Sequence, residues 1–152
     1  MKKIFFILSI ILCSVSANIQ AQQGYKAVHV AGGYTWQKGG DIYLGLDFPS
    51  DSFNSFEIFA RSFFHRKETN YLGGLAYKYC FNKGINSAFR GKIAGVAGTT
   101  THEAIFGGIL GFEYIYAISP SIDFMIIPEG GYYFNSAQKW RVTTMAGLRF
   151  NF

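Results

Sequence analysis

Only three prolines, two cysteines and 15% charged residues occur among the 152 positions. So few cysteines exclude a disulfide-rich mini-protein, and so little charge excludes a coiled coil or a disordered chain. No apolar run reaches the roughly 20 residues of a membrane-spanning helix. What the chain has instead is 18 glycines and 18% aromatic residues, namely 16 Phe, 10 Tyr and 2 Trp. Hydrophobic residues make up 49%, yet mean hydropathy is only +0.14, because glycine and scattered charge dilute them. The length fits one domain, and the composition is that of a glycine-rich, aromatic-rich β protein.

Residues 1–21 read as a secretory signal peptide. Lys2 and Lys3 precede the apolar run from Ile4 to Leu12, and small residues follow up to Ala17 and Ala21. A basic start, a short apolar stretch and an alanine before polar residues are the marks of an export signal. Cleavage is expected after Ala21, with Ala17 the alternative. Cys13 does not mark a lipoprotein, since Leu12 before it is too bulky for that cleavage. Removing Lys2 and Lys3 takes the 14 basic residues to 12, against nine acids. The mature net charge is then about +3, which weakens any case for nucleic-acid binding. Cys80 is left alone in residues 22–152, so no internal disulfide is expected.

Past Gln23 the chain shows no linker and no composition shift, so residues 22–152 form one domain. Turn-forming clusters recur along it: Gln37-Lys38-Gly39-Gly40, Pro49-Ser50-Asp51-Ser52, Arg66-Lys67-Glu68-Thr69-Asn70, Asn82-Lys83-Gly84, Thr99-Thr100-Thr101-His102-Glu103, Ser119-Pro120-Ser121 and Asn135-Ser136-Ala137-Gln138-Lys139. They separate eight segments, most of them near the 9–11 residues that a tilted membrane-spanning strand needs. Single-chain bacterial barrels have even strand numbers from eight upward.

Alternation gives each segment two faces. In the last, Trp140, Val142, Thr144, Ala146, Leu148, Phe150 and Phe152 share one side, and Arg141, Thr143, Met145, Gly147, Arg149 and Asn151 the other. Since side chains alternate with period two, one face is apolar and the other charged. The pattern repeats for Ile122, Phe124 and Ile126 against Asp123 and Met125, and for Leu110, Phe112 and Tyr114 against Ile109, Glu113 and Ile115. It blurs at Phe59 and Phe63 and is weakest from Phe89 to Gly98. The apolar faces carry aromatics near both strand ends: Trp36, Phe64, Tyr71, Phe106, Phe134 and Trp140 beside one set of turns, and Phe48, Phe56, Phe81, Tyr116, Phe124 and Phe150 beside the other. Two such belts are expected at two lipid–water interfaces. A soluble barrel would instead place charge outside and apolar residues within. The last residues end on a strand closing in Phe152, another feature of outer-membrane barrels. The expected fold is all-β: an eight-stranded antiparallel up-and-down transmembrane β-barrel in the outer membrane of a Gram-negative cell.

The inward set holds the acids Asp47, Glu57, Glu113, Asp123 and Glu129 and the bases Arg61, Lys78, Arg90, Lys92, Arg141 and Arg149. An eight-stranded barrel leaves an interior just wide enough for side chains, so these groups are expected to pair into a plug. Glu113, Asp123 and Glu129 could alternatively be a catalytic or metal cluster, a reading the barrel interior makes unnecessary. His29, His65 and His102 lack ligand spacing, and His102-Glu103 lacks the second histidine of a zinc-protease motif. The glycine pairs Gly32-Gly33, Gly73-Gly74, Gly107-Gly108 and Gly130-Gly131 fall inside strands, where they relieve bending and packing rather than cradle phosphate. Ser62, Phe63, Phe64 and His65 form no recognisable nucleophile arrangement. No catalytic, cofactor-binding or metal-binding residue is therefore expected, and the protein is read as non-enzymatic.

One stretch points further. Ile105-Phe106-Gly107-Gly108, Glu113-Tyr114-Ile115-Tyr116 and Ile122-Asp123-Phe124-Met125-Ile126-Ile127 resemble an aromatic-Gly-Gly, acid-aromatic strand, turn and aliphatic strand of the TraO proteins of Bacteroidetes conjugative transposons. The end, Met145-Ala146-Gly147-Leu148-Arg149-Phe150, resembles that family's closing glycine, basic residue and aromatic. The resemblance implies an outer-membrane component of a conjugative, type IV secretion-like apparatus that acts by assembly. The partners it implies are membrane lipid, the barrel-assembly machinery and other transfer proteins. A stand-alone barrel of the OmpX/OmpA kind, for envelope integrity or adhesion, is the alternative.

Overall fold

The computed structural model of the protein describes residues 26–36, 39–50, 54–65, 68–100 and 103–152. The expected signal peptide and both of its cleavage positions lie outside the described residues. Eight strands follow one another: β1 (Ala27–Thr35), β2 (Gly39–Pro49), β3 (Ser55–His65), β4 (Glu68–Lys83), β5 (Ser87–Thr99), β6 (Ala104–Ser119), β7 (Ile122–Phe134) and β8 (Trp140–Asn151). Each pairs antiparallel with its neighbour in sequence, and β1 pairs with β8 to close a barrel. The expected strand number, order and direction are all met.

Side-chain chemistry fixes which face turns inward. Burial alternates along every strand, as in β2, where Gly39, Asp41, Tyr43, Gly45 and Asp47 are buried and Ile42, Leu44, Leu46 and Phe48 are exposed. The outer face is almost wholly apolar, with Leu75 66% exposed, Leu110 65% and Trp36 78%. In water, each large side chain left out forgoes about 1.5–3 kcal/mol of burial, and soluble monomers rarely expose patches beyond a few hundred Å2. A hydrocarbon surround removes that cost. The aromatic belts hold together at the rim away from the termini: the rings of Tyr132 and Trp140 lie 4.8 Å apart, and those of Phe106 and Phe134 5.1 Å apart.

Three expectations are refined. Phe59 and Phe63 point inward and are buried, so the blur in β3 comes from apolar residues that fill the lumen. The weak segment is a full strand, β5; its outer face carries Gly91, Gly95 and Ala97, too small to show as an apolar stripe, while Arg90, Lys92, Ala94 and Val96 are buried inside. Finally, β4 and β6 run to 16 residues. They absorb Asn82, Lys83 and Ser119, polar residues that suit a strand continuing past the apolar zone as well as they suit a turn.

The connections are tight. The Gly39 N–H donates to Thr35 Oγ1 at 3.0 Å, and the Thr35 hydroxyl donates to the Gly39 carbonyl at 3.2 Å. Between β6 and β7 the Ile122 N–H donates to Ser119 Oγ at 3.1 Å. Between β7 and β8, Asn135 takes φ of 58°, a left-handed conformation in which asparagine is enriched among non-glycine residues.

Candidate functional site

The lumen is filled by two linked groups of ions and a plug of apolar and aromatic side chains. Nearer the chain termini, Asp47 takes the Lys78 ammonium at 3.0 Å, Arg90 at 2.9 Å and Arg149 at 3.4 Å. Arg90 also reaches Glu113 at 2.5 Å, and Lys78 reaches it at 3.3 Å. Asp123 accepts from Arg149 at 2.8 Å and from the Asn151 amide at 2.9 Å. Across the lumen, Arg61 donates to both oxygens of Asp41, to Glu129, and to Thr143 Oγ1 at 3.1 Å.

Glu57 and Lys92 join the two groups. Glu57 contacts His29 and accepts from the Tyr43 hydroxyl at 2.5 Å, with Lys78 at 3.2 Å and Lys92 at 3.4 Å. Lys92 in turn donates to the Tyr43 hydroxyl at 2.7 Å and lies 3.5 Å from Glu129. Its ammonium also sits over the rings of Tyr43 and Phe59, at 4.4 and 4.5 Å. Gly45 makes this crowding possible: a Cβ there would lie 2.1 Å from His29 Nε2 and 2.5 Å from Glu57 Oε1. Towards the opposite rim the Arg141 guanidinium is held between the rings of Phe63 and Tyr133, at 4.1 and 4.6 Å, and donates to Ser136 Oγ at 2.7 Å. The β7–β8 turn, with Ser136 buried, is thereby tied to the lumen's mouth.

All eleven inward charges expected from the sequence face the lumen. Asp41 joins them as a buried twelfth. Its signal was available, because it shares the parity of Tyr43 and Asp47, but the glycines before it read as part of a turn. With Asp41, the described residues of the lumen balance six acids against six bases. Each ion taken from water costs several kcal/mol unless paired in good geometry, and that cost accounts for a base lying within reach of each of these six carboxylates.

The alternative cluster of Glu113, Asp123 and Glu129 is divided among different cations: Arg90 and Lys78, Arg149, and Arg61 with Lys92 respectively. His29, Asp47 and Glu57 bring possible ligand atoms within 4.8 Å of one another. Lys78, close to both carboxylates, already supplies the positive charge that a metal ion would bring there. Ser62 and His65 lie on opposite faces of β3, Ser62 outward and His65 stacked on inward Phe63. His102 lies outside the described residues. Chemically, the arrangement holds a wall rigid and fills its bore.

Comparisons with known proteins agree with this architecture. No protein-family model matches the chain, and no curated protein matches it. Solved structures do. The N-terminal β-barrel domain of Pseudomonas aeruginosa OprF superimposes with a TM-score of 0.67 at 13% identity, over 88% of this chain and all of that one. A de novo designed transmembrane β-barrel gives 0.57 at 14% identity, over 88% of this chain and all of that one. Neisserial surface protein A gives 0.51 at 15% identity, over 84% of this chain and 94% of that one. At such identities the likeness is one of fold, and the class it defines is the eight-stranded transmembrane β-barrel.

Proposed function

We propose that the protein is a non-enzymatic, closed barrel of the bacterial outer membrane that serves as a rigid anchor for other components. The supporting observation is the lumen, where, among the described residues, every inward carboxylate is engaged by a base and apolar side chains pack beside them. Such an interior offers no path for solutes, which leaves the rims and the outer wall as working surfaces. Cell fractionation should recover the protein with the outer membrane, starting near Gln22. Purified protein in planar bilayers should show no steady conductance.

Within that reading, the partners are the other proteins of a conjugative transfer apparatus. The TraO-like stretch from Ile105 to Ile127 supports this, and it occupies β6 and the start of β7. Deleting the gene from donor cells should lower transfer of the element while growth is unaffected. Substituting Glu113 should reduce transfer only as far as it reduces folded barrel. The second reading, a stand-alone barrel for envelope integrity or adhesion, draws on the likeness in fold to OprF and Neisserial surface protein A. Normal transfer with a leaky or poorly adhesive envelope would select it.

A further inference from the structure

The outer wall is not uniformly filled. Two adjacent rows of outward residues cross the strands through direct register partners. One runs Tyr77–Ile93–Leu110–Gly130–Val142 and the other Tyr79–Gly91–Phe112. The second row would continue from Phe112 to Pro128, and there the β6–β7 ladder is interrupted. Gly111 pairs with Glu129 and Tyr114 with Ile126, while the two rungs between, Phe112 with Pro128 and Glu113 with Ile127, are missing. Proline has no N–H to give a neighbouring strand, so the break falls where the chemistry puts it.

Gly130 leaves a gap in the first row, while the ring of Phe81 lies over Gly91 in the second, and an open groove of about 580 Å3 runs beside them. Its banks come from four strands: Tyr79 and Phe81 of β4, Ile93 of β5, Leu110 and Phe112 of β6, and Val142 of β8. Lys92 and Glu129 underlie it in the wall but turn their charged ends into the lumen, where both side chains are 1% exposed. The volume lies within the range of about 300–1,000 Å3 usual for ligand sites.

We propose that this groove is a specific docking site for one acyl chain of a phospholipid, held across β4–β8 beside Pro128. The inference rests on the barrel lying in a membrane, since that makes hydrocarbon the medium outside the groove. Its walls suit an occupant that is mostly hydrocarbon, because the banks are aliphatic and aromatic and the Tyr77 and Tyr79 hydroxyls are the polar side-chain groups they offer. No cation faces outward along it, so a lipid whose binding depends on several phosphates finds no counter-charge there. A recess bounded by side chains from four strands holds one chain in place.

Two outward glycines allow a matched test. A Cβ at Gly130 would have its nearest neighbour, the Arg141 carbonyl oxygen, 4.0 Å away, and one at Gly95, outside the groove, would meet nothing within 4 Å. Gly130→Leu therefore fills the groove, and Gly95→Leu adds the same bulk elsewhere. The full chain, refolded into vesicles of palmitoyl-oleoyl phosphatidylethanolamine and phosphatidylglycerol with or without lipid A, is extracted in mild detergent and weighed intact by native mass spectrometry. Wild type and Gly95→Leu should each retain one phospholipid, and Gly130→Leu should lose it. Leu110→Ala, which removes a bank without adding bulk, should also lose it, so the result does not hang on whether Gly130→Leu folds. Equal retention by all four proteins would overturn the proposal, as would retention of lipid A alone, or a two-barrel species that Gly130→Leu abolishes. Failure of the wild type to insert into vesicles would instead remove the membrane reading itself.

Discussion

Two seams of the same wall behave differently. The seam between β1 and β8 joins the ends of the chain, yet its rungs are unbroken from Ala27–Asn151 to Thr35–Thr143. The seam between β6 and β7 joins strands separated only by Pro120 and Ser121, and it lacks two rungs in its middle. Closeness in sequence makes a hairpin easy to close, because loop entropy grows with the length enclosed, but it does not decide how complete the ladder is. Residue identity decides that. Small residues where β8 meets β1 let the long-range seam come together fully, and one proline deprives the local seam of a donor.

The largest effect should come from blocking closure. A Cβ at Gly147 would sit 2.1 Å from the Val30 carbonyl oxygen and 2.6 Å from Ala31 Cα, both backbone atoms that cannot yield without moving β1. Gly147→Val is expected to abolish the compact, heat-modifiable species on unboiled gels. Gly130→Val, beside the broken seam, should leave that species in place. A barrel that closes normally with Gly147→Val would show that the closing seam tolerates distortion as well as the other.

Next in size is the lattice behind both seams. Glu57→Gln removes the carboxylate that meets His29, Tyr43, Lys78 and Lys92. Breaking a buried pair by removing one partner costs about 3–5 kcal/mol, which urea titration of the folded barrel in lipid would read as an earlier midpoint. On the outside, Leu148→Arg lies in the closing seam opposite Val30 and sets a charge against hydrocarbon. The expected destabilisation is about 2–4 kcal/mol if the position lies near the midplane. Stability unchanged by Leu148→Arg would mean that this face of β8 does not meet lipid.

These sites differ in how far the sequence exposes them. Leu148 and its neighbours are legible because alternation with period two separates apolar from charged residues, and the same parity places all eleven inward charges. Phe59, Phe63, Leu72 and Ile105 defeat that rule, since an apolar side chain that fills the lumen looks like one that faces lipid. Asp41 was hidden by the glycines before it, which serve a strand start as readily as a turn. Pairing within the lumen is a matter of three dimensions: nothing in the order of residues links Arg61 to Glu129 or Lys92 to Tyr43, which lie far apart in the chain and meet only when the barrel closes. The groove was equally out of reach, because it needs the register of five strands at once.

The smallest effect tests the broken seam itself. Pro128→Ala restores an N–H opposite Phe112 and allows the missing rungs to form. A hydrogen bond contributes a net of about 0.5–1.5 kcal/mol. Against it stands the freedom that alanine returns to the unfolded chain, worth about 0.4–1 kcal/mol. The two nearly cancel, so global stability should shift by no more than about 1 kcal/mol in either direction. Local exchange gives the clearer signal. If proline alone interrupts the seam, the new amide hydrogen at position 128 in Pro128→Ala should exchange as slowly as that of Gly130, the next β7 amide directed at β6, while those of β1 and β8 stay as they were. Fast exchange at position 128 would place the cause of the interruption in the shape of the wall around Gly91 and Gly130 and not in the missing donor.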